Sequence, residues 1–229
     1  MSGQPDFSSV LSLIAEPSRV AMLVELMEGT MLPAGELARR AGITAQTASG
    51  HLSLLAQAGL VKVEAQGRHR YYRLASEPAA NALEALLVLA PPTKVRSLRE
   101  SDALRRLRKA RTCYDHVAGE LGVALEEALR TRGALVLDGR NYVLTGTGEE
   151  LLSELGVNVP ALRSTRRAFA RTCLDWSERR YHVAGALGAA VATQFTELGW
   201  LQRIPGGRAL CVTQTGREGL EGAFGLRLD

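Results

Sequence analysis

Cysteine, aspartate and histidine recur at matching places in the second half of the chain, and these residue types bind metal ions. The stretch "ARTCYDHVAGELG" at 110–122 returns in part as "ARTCLDW" at 170–176 and as "HVAGALG" at 182–188. Two cysteines and two histidines are, by type, a tetrahedral Zn²⁺ set. They are Cys113, His116, Cys173 and His182. No paired Cys-x-x-Cys spacing accompanies them, so the pattern alone leaves other interpretations open.

Three alternatives to a zinc site remain. The cysteines can be packing residues, because free cysteine is often buried and repeated units keep such residues without function. Adding Cys211 gives three thiols, a set that suits a softer ion. An organic ligand bound between the repeated segments would use an aromatic wall, for which the candidates are Tyr114, Trp176, Tyr181 and Trp200.

The matched residues belong to two longer similar segments, about 110–157 and 170–226, which indicate an internal duplication. The offset between aligned residues grows from 60 to 66 to 68, so the second copy has an insertion near "WSERRY". Each copy is predicted as a helix, a β-hairpin and a helix, and the first helix would carry Cys113 and His116 on one face. We expect the copies to pack about a pseudo-two-fold axis, with the Cys and His residues at the seam.

Composition excludes several function classes. The chain has 229 residues, 46% of them hydrophobic, without the long apolar run of a membrane protein. We find no secretory signal, so a cytoplasmic location and no membrane partner are expected. Three cysteines do not make a disulfide framework. The sequence has no P-loop, Rossmann fingerprint, HExxH or G-x-S-x-G motif, and we therefore predict that the protein is not an enzyme.

The net charge of +4 is spread unevenly. Residues 94–111 carry eight Lys or Arg against two Asp or Glu, and residues 161–180 carry six against two. These segments are predicted to be solvated helix faces, with a surface for nucleic acid or another anion as the alternative.

The N-terminal third has the pattern of a helix-turn-helix with a wing. Residues 8–28 have apolar side chains at helical spacing, and Pro17 predicts a break in that helix. A short helix "AGELARRAG" ends at Gly42, and Thr44 is a good N-cap for a second helix with a polar N-terminal half. Two β-prone runs around "QGRH" then predict a hairpin.

Such a second helix can enter the major groove of double-stranded DNA with its N-terminal side chains at base edges. The candidate base readers are Thr44, Gln46, Thr47, Ser49 and His51, of which Gln46 is the best suited. The candidate phosphate contacts in the wing are Lys62, Arg68, His69 and Arg70. Similar helices occur in protein–protein modules, but a basic wing at this offset favours DNA.

About residues 10–75, including "AGELARRAGITAQTASGHLSLLAQAGLVKVEAQGRHRYYRLA", resemble the ArsR (SmtB/ArsR) winged-helix repressors. The resemblance implies a homodimer that binds an inverted-repeat operator and is released by an inducer. It implies recognition-helix roles for Gln46, Thr47, Ser49 and His51. It also implies wing roles for Gly67, Arg68 and Tyr72.

The sequence departs from the family at both of its familiar metal sites. "LPAGELA" before the recognition helix lacks the Cys pair of the arsenite and cadmium sensors, and "ASEPAANALEALLVLA" after the wing lacks the His of the zinc sensors. Gly50 also stands where the family often has Arg or His. A small-molecule or metal inducer would therefore bind elsewhere.

Taken together, the patterns predict a mainly α fold with short β-hairpins (α+β). The predicted parts are a winged-helix domain at 1–90, a basic connecting segment at 91–111 and a sensing or dimerisation domain at 112–229. The favoured function is a DNA-binding transcriptional regulator, an inducer-released repressor. One alternative is a metal- or thiol-responsive sensor that uses the Cys/His residues, with zinc as the possible ion. Another is a DNA-binding protein whose C-terminal half only mediates assembly.

Overall fold

A computed structural model describes residues 6–67, 69–91 and 94–228. The chain divides into two compact units, Met1–Leu83 and Glu84–Asp229, each of which is considered on its own. Among the described residues no single helix has the length and apolar character to cross a membrane. The first two helices, Phe7–Ile14 and Pro17–Leu26, have that length and apolar character only when they are taken together, and the chain bends by 89° between them.

The first unit combines helices with a small antiparallel sheet, in the sheet order β1-β3-β2. Its helices are α1 (Phe7–Ile14), α2 (Pro17–Leu26), α3 (Ala34–Arg40) and α4 (Ala45–Gln57). Its strands are β1 (Leu32–Pro33), β2 (Val61–Gln66) and β3 (His69–Leu74). Helix α5 (Glu77–Leu89) follows and runs past the boundary between the units. The predicted break is confirmed, because α2 begins at Pro17, a position where its missing N–H is not needed.

The helix-turn-helix and its wing form where the sequence predicts them. Gly42 has a φ of 68° in the turn after α3, a conformation that glycine adopts without strain. The Thr44 side chain caps α4 by accepting a hydrogen bond from the N–H of Thr47 at 3.2 Å. Leu52 and Leu55 on α4 are fully buried, so this helix packs on the core by its C-terminal half. Strands β2 and β3 pair in register along their whole length and form the wing hairpin.

In the part of the second unit that the structure describes, four β-hairpins and six helices follow α5. Its helices are α6 (Leu98–Lys109), α7 (Glu120–Thr131), α8 (Gly146–Glu154), α9 (Val159–Arg163), α10 (Gly185–Glu197) and α11 (Gln214–Phe224). Its strands are β4 (Arg111–Cys113), β5 (His116–Ala118), β6 (Leu135–Asp138), β7 (Asn141–Leu144), β8 (Arg171–Leu174), β9 (Tyr181–Ala184), β10 (Leu201–Arg203) and β11 (Leu210–Val212). The sheets are β4-β5, β6-β7-β8-β9 and β10-β11, and all their pairings are antiparallel.

The order hairpin, helix, hairpin, helix occurs twice in this unit. The prediction of a helix over Cys113–His116 is wrong, because these residues form a tight hairpin in which Cys113 pairs with His116. Tyr114 in its turn has a φ of 60°. Every residue of β4 and β5 is buried, so the strands lack the polar alternation that would have distinguished them from a helix. The fold is consequently mixed helix and strand rather than mainly α.

The repeated glycines allow the helix of each copy to approach the histidine of the other. A Cβ on Gly188 of α10 would lie 2.3 Å from the Val183 carbonyl oxygen and 3.2 Å from the Cβ of His116. A Cβ on Gly122 of α7 would lie 3.4 Å from the Cβ of His182. This reciprocal arrangement is a physical reason for the repeated "HVAG" and "LG" residues.

Replacing Gly188 by alanine is expected to destabilise the second unit by about 1–3 kcal/mol, because the new methyl group meets backbone that cannot move aside cheaply. The matched control is Gly222→Ala at an exposed position of α11, where the added Cβ meets nothing within 4 Å. That change should stabilise by about 0.5–1 kcal/mol through helix propensity. Urea unfolding followed by tryptophan fluorescence measures both, since Trp176 and Trp200 lie in this unit. A Gly188→Ala midpoint at or above wild type would contradict the close approach.

Candidate functional site

The N-terminal half of α4 presents polar side chains to solvent. Gln46, Thr47 and Ser49 are exposed on it, and Thr44 caps it. The Thr44 and Thr47 hydroxyls lie 2.9 Å apart, and Ser49 donates to the Ala45 carbonyl at 2.9 Å. These local bonds fix three of the side chains, so Gln46 is the long polar side chain left to reach outward.

His51 differs from the other predicted base readers, because its ring is engaged within the first unit. Its Nδ1 lies 3.3 Å from an Arg19 nitrogen, and its Nε2 lies 3.6 Å from a Glu16 carboxylate oxygen. Both partners belong to the start of α2. The ring therefore contributes to the packing of α4 on α2, a role that the polar sequence pattern did not reveal.

The wing beside α4 is basic. Lys62, His69 and Arg70 are exposed, and strand alternation puts Lys62 and His69 on one face and Arg70 on the other. Glu64, the acidic residue of the hairpin, forms an ion pair with Arg73. The predicted phosphate contact Arg68 lies outside the described residues. A groove between α4 and the wing is lined in part by Ser49 and Ser53 and by His69 and Arg70.

In the second unit the structure brings the four predicted metal ligands together. We call Cys113, His116, Cys173 and His182 the Cys/His cluster; all four are buried, and one ligand atom from each lies within 4.8 Å of the others. The two sulfurs are 3.7 Å apart, and the two Nε2 atoms are 3.1 Å apart. Each copy contributes one pair across a hairpin, because Cys113 faces His116 in β4–β5 and Cys173 faces His182 in β8–β9.

A carboxylate stands behind each histidine of the cluster. An Asp115 oxygen lies 3.2 Å from His116 Nδ1, and Arg167 donates two hydrogen bonds to the same carboxylate. An Asp175 oxygen lies 3.6 Å from His182 Nδ1, which is longer than a hydrogen bond. The sequence reasoning missed these roles, although the repeated Cys-x-Asp was the signal that could have found them.

Asp175 is also the centre of a buried hydrogen-bond network. Its carboxylate accepts hydrogen bonds from Arg111 at 2.8 Å, from the Gly119 N–H at 2.7 Å and from the Ser177 N–H at 2.9 Å. The side chains of Arg111 and Asp175 are both fully buried. The Arg111 guanidinium stacks over the Trp176 ring at 4.5 Å, so this aromatic face is already occupied.

The cluster shifts the protonation of its own members. A hydrogen bond from Cys113 lowers the pKa of the Cys173 thiol to about 2, and the pKa of Cys113 is raised for the same reason. Burial would lower the pKa of His116, but hydrogen bonds to Asp115 and Cys173 outweigh burial and raise that pKa to about 9. These shifts favour the ionised form of Cys173 and the protonated form of His116.

The other predicted ligand residues are not members of the Cys/His cluster. Cys211 is exposed on β11, opposite Gln202. Tyr114 occupies the β4–β5 turn, Tyr181 is half exposed, and Trp200 packs on Phe195. The cavity found along the seam between the copies has a volume of about 10 Å³ and aliphatic walls, which leaves room for no more than a water molecule.

Comparison with known proteins finds similarity to transcriptional regulators. Residues 14–64 match a family described as a helix-turn-helix domain. The chain is 47% identical over 224 residues to the uncharacterized HTH-type transcriptional regulator YdfF of Bacillus subtilis, covering 98% of this chain and 99% of YdfF. It is 42% identical over 74 residues to the HTH-type transcriptional regulator CmtR of Mycobacterium tuberculosis, covering 32% of this chain and 62% of CmtR.

Among solved structures, the transcriptional repressor BigR from Xylella fastidiosa matches with 27% identity and a TM-score of 0.35, over 38% of this chain and 87% of BigR. The similarity to YdfF extends over nearly the whole of both sequences, and the similarity to CmtR covers the winged helix. The N-terminal third is a winged helix-turn-helix, and the protein belongs to the HTH-type transcriptional regulators.

Proposed function

We propose that this regulator binds an operator in double-stranded DNA as a homodimer and represses transcription until an inducer releases it. The observation that carries the proposal is the exposed polar start of α4 beside a basic wing. A helix of this kind enters the major groove with its N-terminal side chains at the base edges, while a wing contacts the backbone.

Gln46 is the proposed base reader, because its amide can both donate to and accept from one adenine. Thr47 and Ser49 flank it on the exposed start of α4. His51 is assigned a packing role instead, since Glu16 and Arg19 hold its ring. The proposed phosphate contacts are Lys62, Arg68, His69 and Arg70.

Helix α5 is the proposed dimer contact. The ArsR resemblance assigns the last helix of the domain to dimerisation, and α5 leaves Leu86 and Leu89 exposed, at 41% and 80%. Apolar side chains that stand in solvent on one helix suit burial against a second copy. A two-fold dimer would match an operator with inverted half-sites.

The remaining chain is proposed to carry the control of DNA binding. We take 1–90 as the DNA-binding domain, 91–111 as a connecting segment and 112–229 as the duplicated sensing domain. Both familiar ArsR metal positions lack cysteine and histidine. The Cys/His cluster is therefore the proposed responsive site, acting through a metal ion or through thiol chemistry.

Gln46→Ala is expected to weaken binding to the preferred duplex by about 1–3 kcal/mol, or about 5- to 150-fold in Kd, because one bidentate base contact is lost. Binding to a scrambled duplex should change little. The measurement is fluorescence anisotropy on a duplex selected from a random pool by the wild-type protein. Gln57→Ala, at the exposed C-terminal end of the same helix, is the control and should behave as wild type. Retained sequence preference in Gln46→Ala would contradict our assignment of the recognition helix.

Added Zn²⁺ is expected to slow alkylation of Cys113 and Cys173 relative to protein kept in chelator, since a coordinated thiolate cannot react freely. Exposed Cys211 is an internal control, and its alkylation rate should not change when the ion is added. Operator affinity in the same solutions should change by about 5- to 150-fold, the usual range of coupling between two sites. If buried cysteines react slowly at one rate in every solution and operator affinity stays constant, the C-terminal half is an assembly module.

A further inference from the structure

We propose that the Cys/His cluster binds one four-coordinate divalent ion of the zinc class. One carboxylate from each copy orients the cluster histidine of the same copy. The carboxylates belong to Asp115 and Asp175. The inference rests on the proposed function of the cluster as the responsive site, and it names the ligand class: a thiophilic cation rather than an oxidant or an organic molecule.

The spacing of the ligand atoms is the first argument. Two thiolates at about 2.3 Å from one tetrahedral zinc ion lie about 3.8 Å apart, and two imidazole nitrogens at about 2.05 Å lie about 3.3 Å apart. The observed separations are 3.7 Å between the sulfurs and 3.1 Å between the Nε2 atoms. The longest separation in the cluster is 4.8 Å, so a contraction of about 1 Å completes the tetrahedron.

The orientation of the imidazoles is the second argument. The two rings turn Nε2 towards each other. His116 Nδ1 lies within hydrogen-bond distance of Asp115 at 3.2 Å, and His182 Nδ1 faces Asp175 at 3.6 Å, just beyond that distance. A carboxylate that accepts from Nδ1–H fixes the neutral tautomer whose Nε2 lone pair can bind a metal, as is usual in protein metal sites. Two adjacent Nε2 atoms need a proton or a cation between them. A dithiol switch would use only Cys113 and Cys173, and it would leave this pair of histidines unexplained.

The balance of charge is the third argument. Arg167 lies against Asp115, and Arg111 lies against Asp175, so each carboxylate already has its own counter-charge. Coordination requires both cysteines to be ionised and both histidines to be neutral, and a divalent ion neutralises the two thiolates that this leaves in the buried site. Sulfur and imidazole ligands favour zinc-like ions over Mg²⁺ and Ca²⁺, which take oxygen ligands.

The duplication supplies the geometry. One Cys and one His come from each hairpin, so neither copy holds a complete ligand set. Gly122 and Gly188 let α7 and α10 lie against the histidine of the opposite copy. The proposed site thus needs the same residues at the same places in both copies, which is the pattern that the sequence shows.

Cobalt titration of the full-length, reduced and metal-stripped protein, without DNA, tests the ligand set. We expect one Co²⁺ per chain, a thiolate-to-cobalt charge-transfer band in the near ultraviolet and the intense visible bands of tetrahedral cobalt, all abolished by equimolar Zn²⁺. The charge-transfer band should weaken in Cys113→Ser or Cys173→Ser and disappear in the double variant. Absence of the band in wild type, or its persistence in the double variant, overturns the proposal.

Asp115→Asn tests the orienting role, because Asp115 is partly exposed and lies outside the buried Asp175 network. The affinity of the Asp115→Asn variant for Zn²⁺, measured by competition with Co²⁺, should fall by about 10- to 100-fold. The positions of the cobalt absorption bands should stay the same, since the four ligands are intact. The control is Asp138→Asn at the exposed end of strand β6, which should bind Zn²⁺ as wild type does.

Urea unfolding of the metal-free variants separates positioning from a general loss of structure. A metal-free midpoint close to wild type, together with weakened Zn²⁺ binding, supports the orienting role of Asp115. Wild-type affinity in Asp115→Asn overturns it. Because no DNA is present, failure to bind the ion is distinct from failure of the proposed control of DNA binding. If a bound ion leaves operator affinity unchanged, only the proposed control of DNA binding is overturned, and the ion site stands.

Discussion

One buried ion pair, Arg111–Asp175, joins the two repeated segments of the second unit. Arg111 lies on the first strand of copy one, and Asp175 follows the first strand of copy two. Removing one charge from such a pair costs about 3–5 kcal/mol, because the other charge stays buried without a partner. A whole domain is stable by only about 5–15 kcal/mol. The same carboxylate faces His182, so the packing of the copies and the geometry of the cluster depend on one side chain.

Local signals in the sequence were sufficient for most of the first unit. Pro17 starts a helix, Thr44 caps one, and Gly42 turns the chain with a positive φ. Each of these effects acts within a few residues, so the surrounding fold is not needed to predict it. The packing role of His51 could not be predicted from local signals, because its partners lie more than thirty residues away in the chain.

The second unit shows where such reasoning fails. Matched cysteines and histidines predict the residues of the cluster, but the prediction of a helix is wrong where Cys113 and His116 form a hairpin. Strands buried on both faces have no polar alternation, and three residues are too few to show a period. The roles of Asp115 and Asp175 depend on which side chains meet across the seam. Contacts of that kind come from tertiary packing, which no spacing in a single sequence encodes.

The hairpin registers have a consequence for the order in which this unit folds. Cys113 meets His116 across a two-residue turn, and Cys173 meets His182 within its own hairpin, so each half of the cluster forms from neighbouring chain. Only one closure over some sixty residues is then required, and its entropy grows slowly with loop length. Local contacts also form faster than distant ones. Each hairpin thus brings together its own Cys and His, and the long-range packing of the two copies is what joins the two pairs into one cluster.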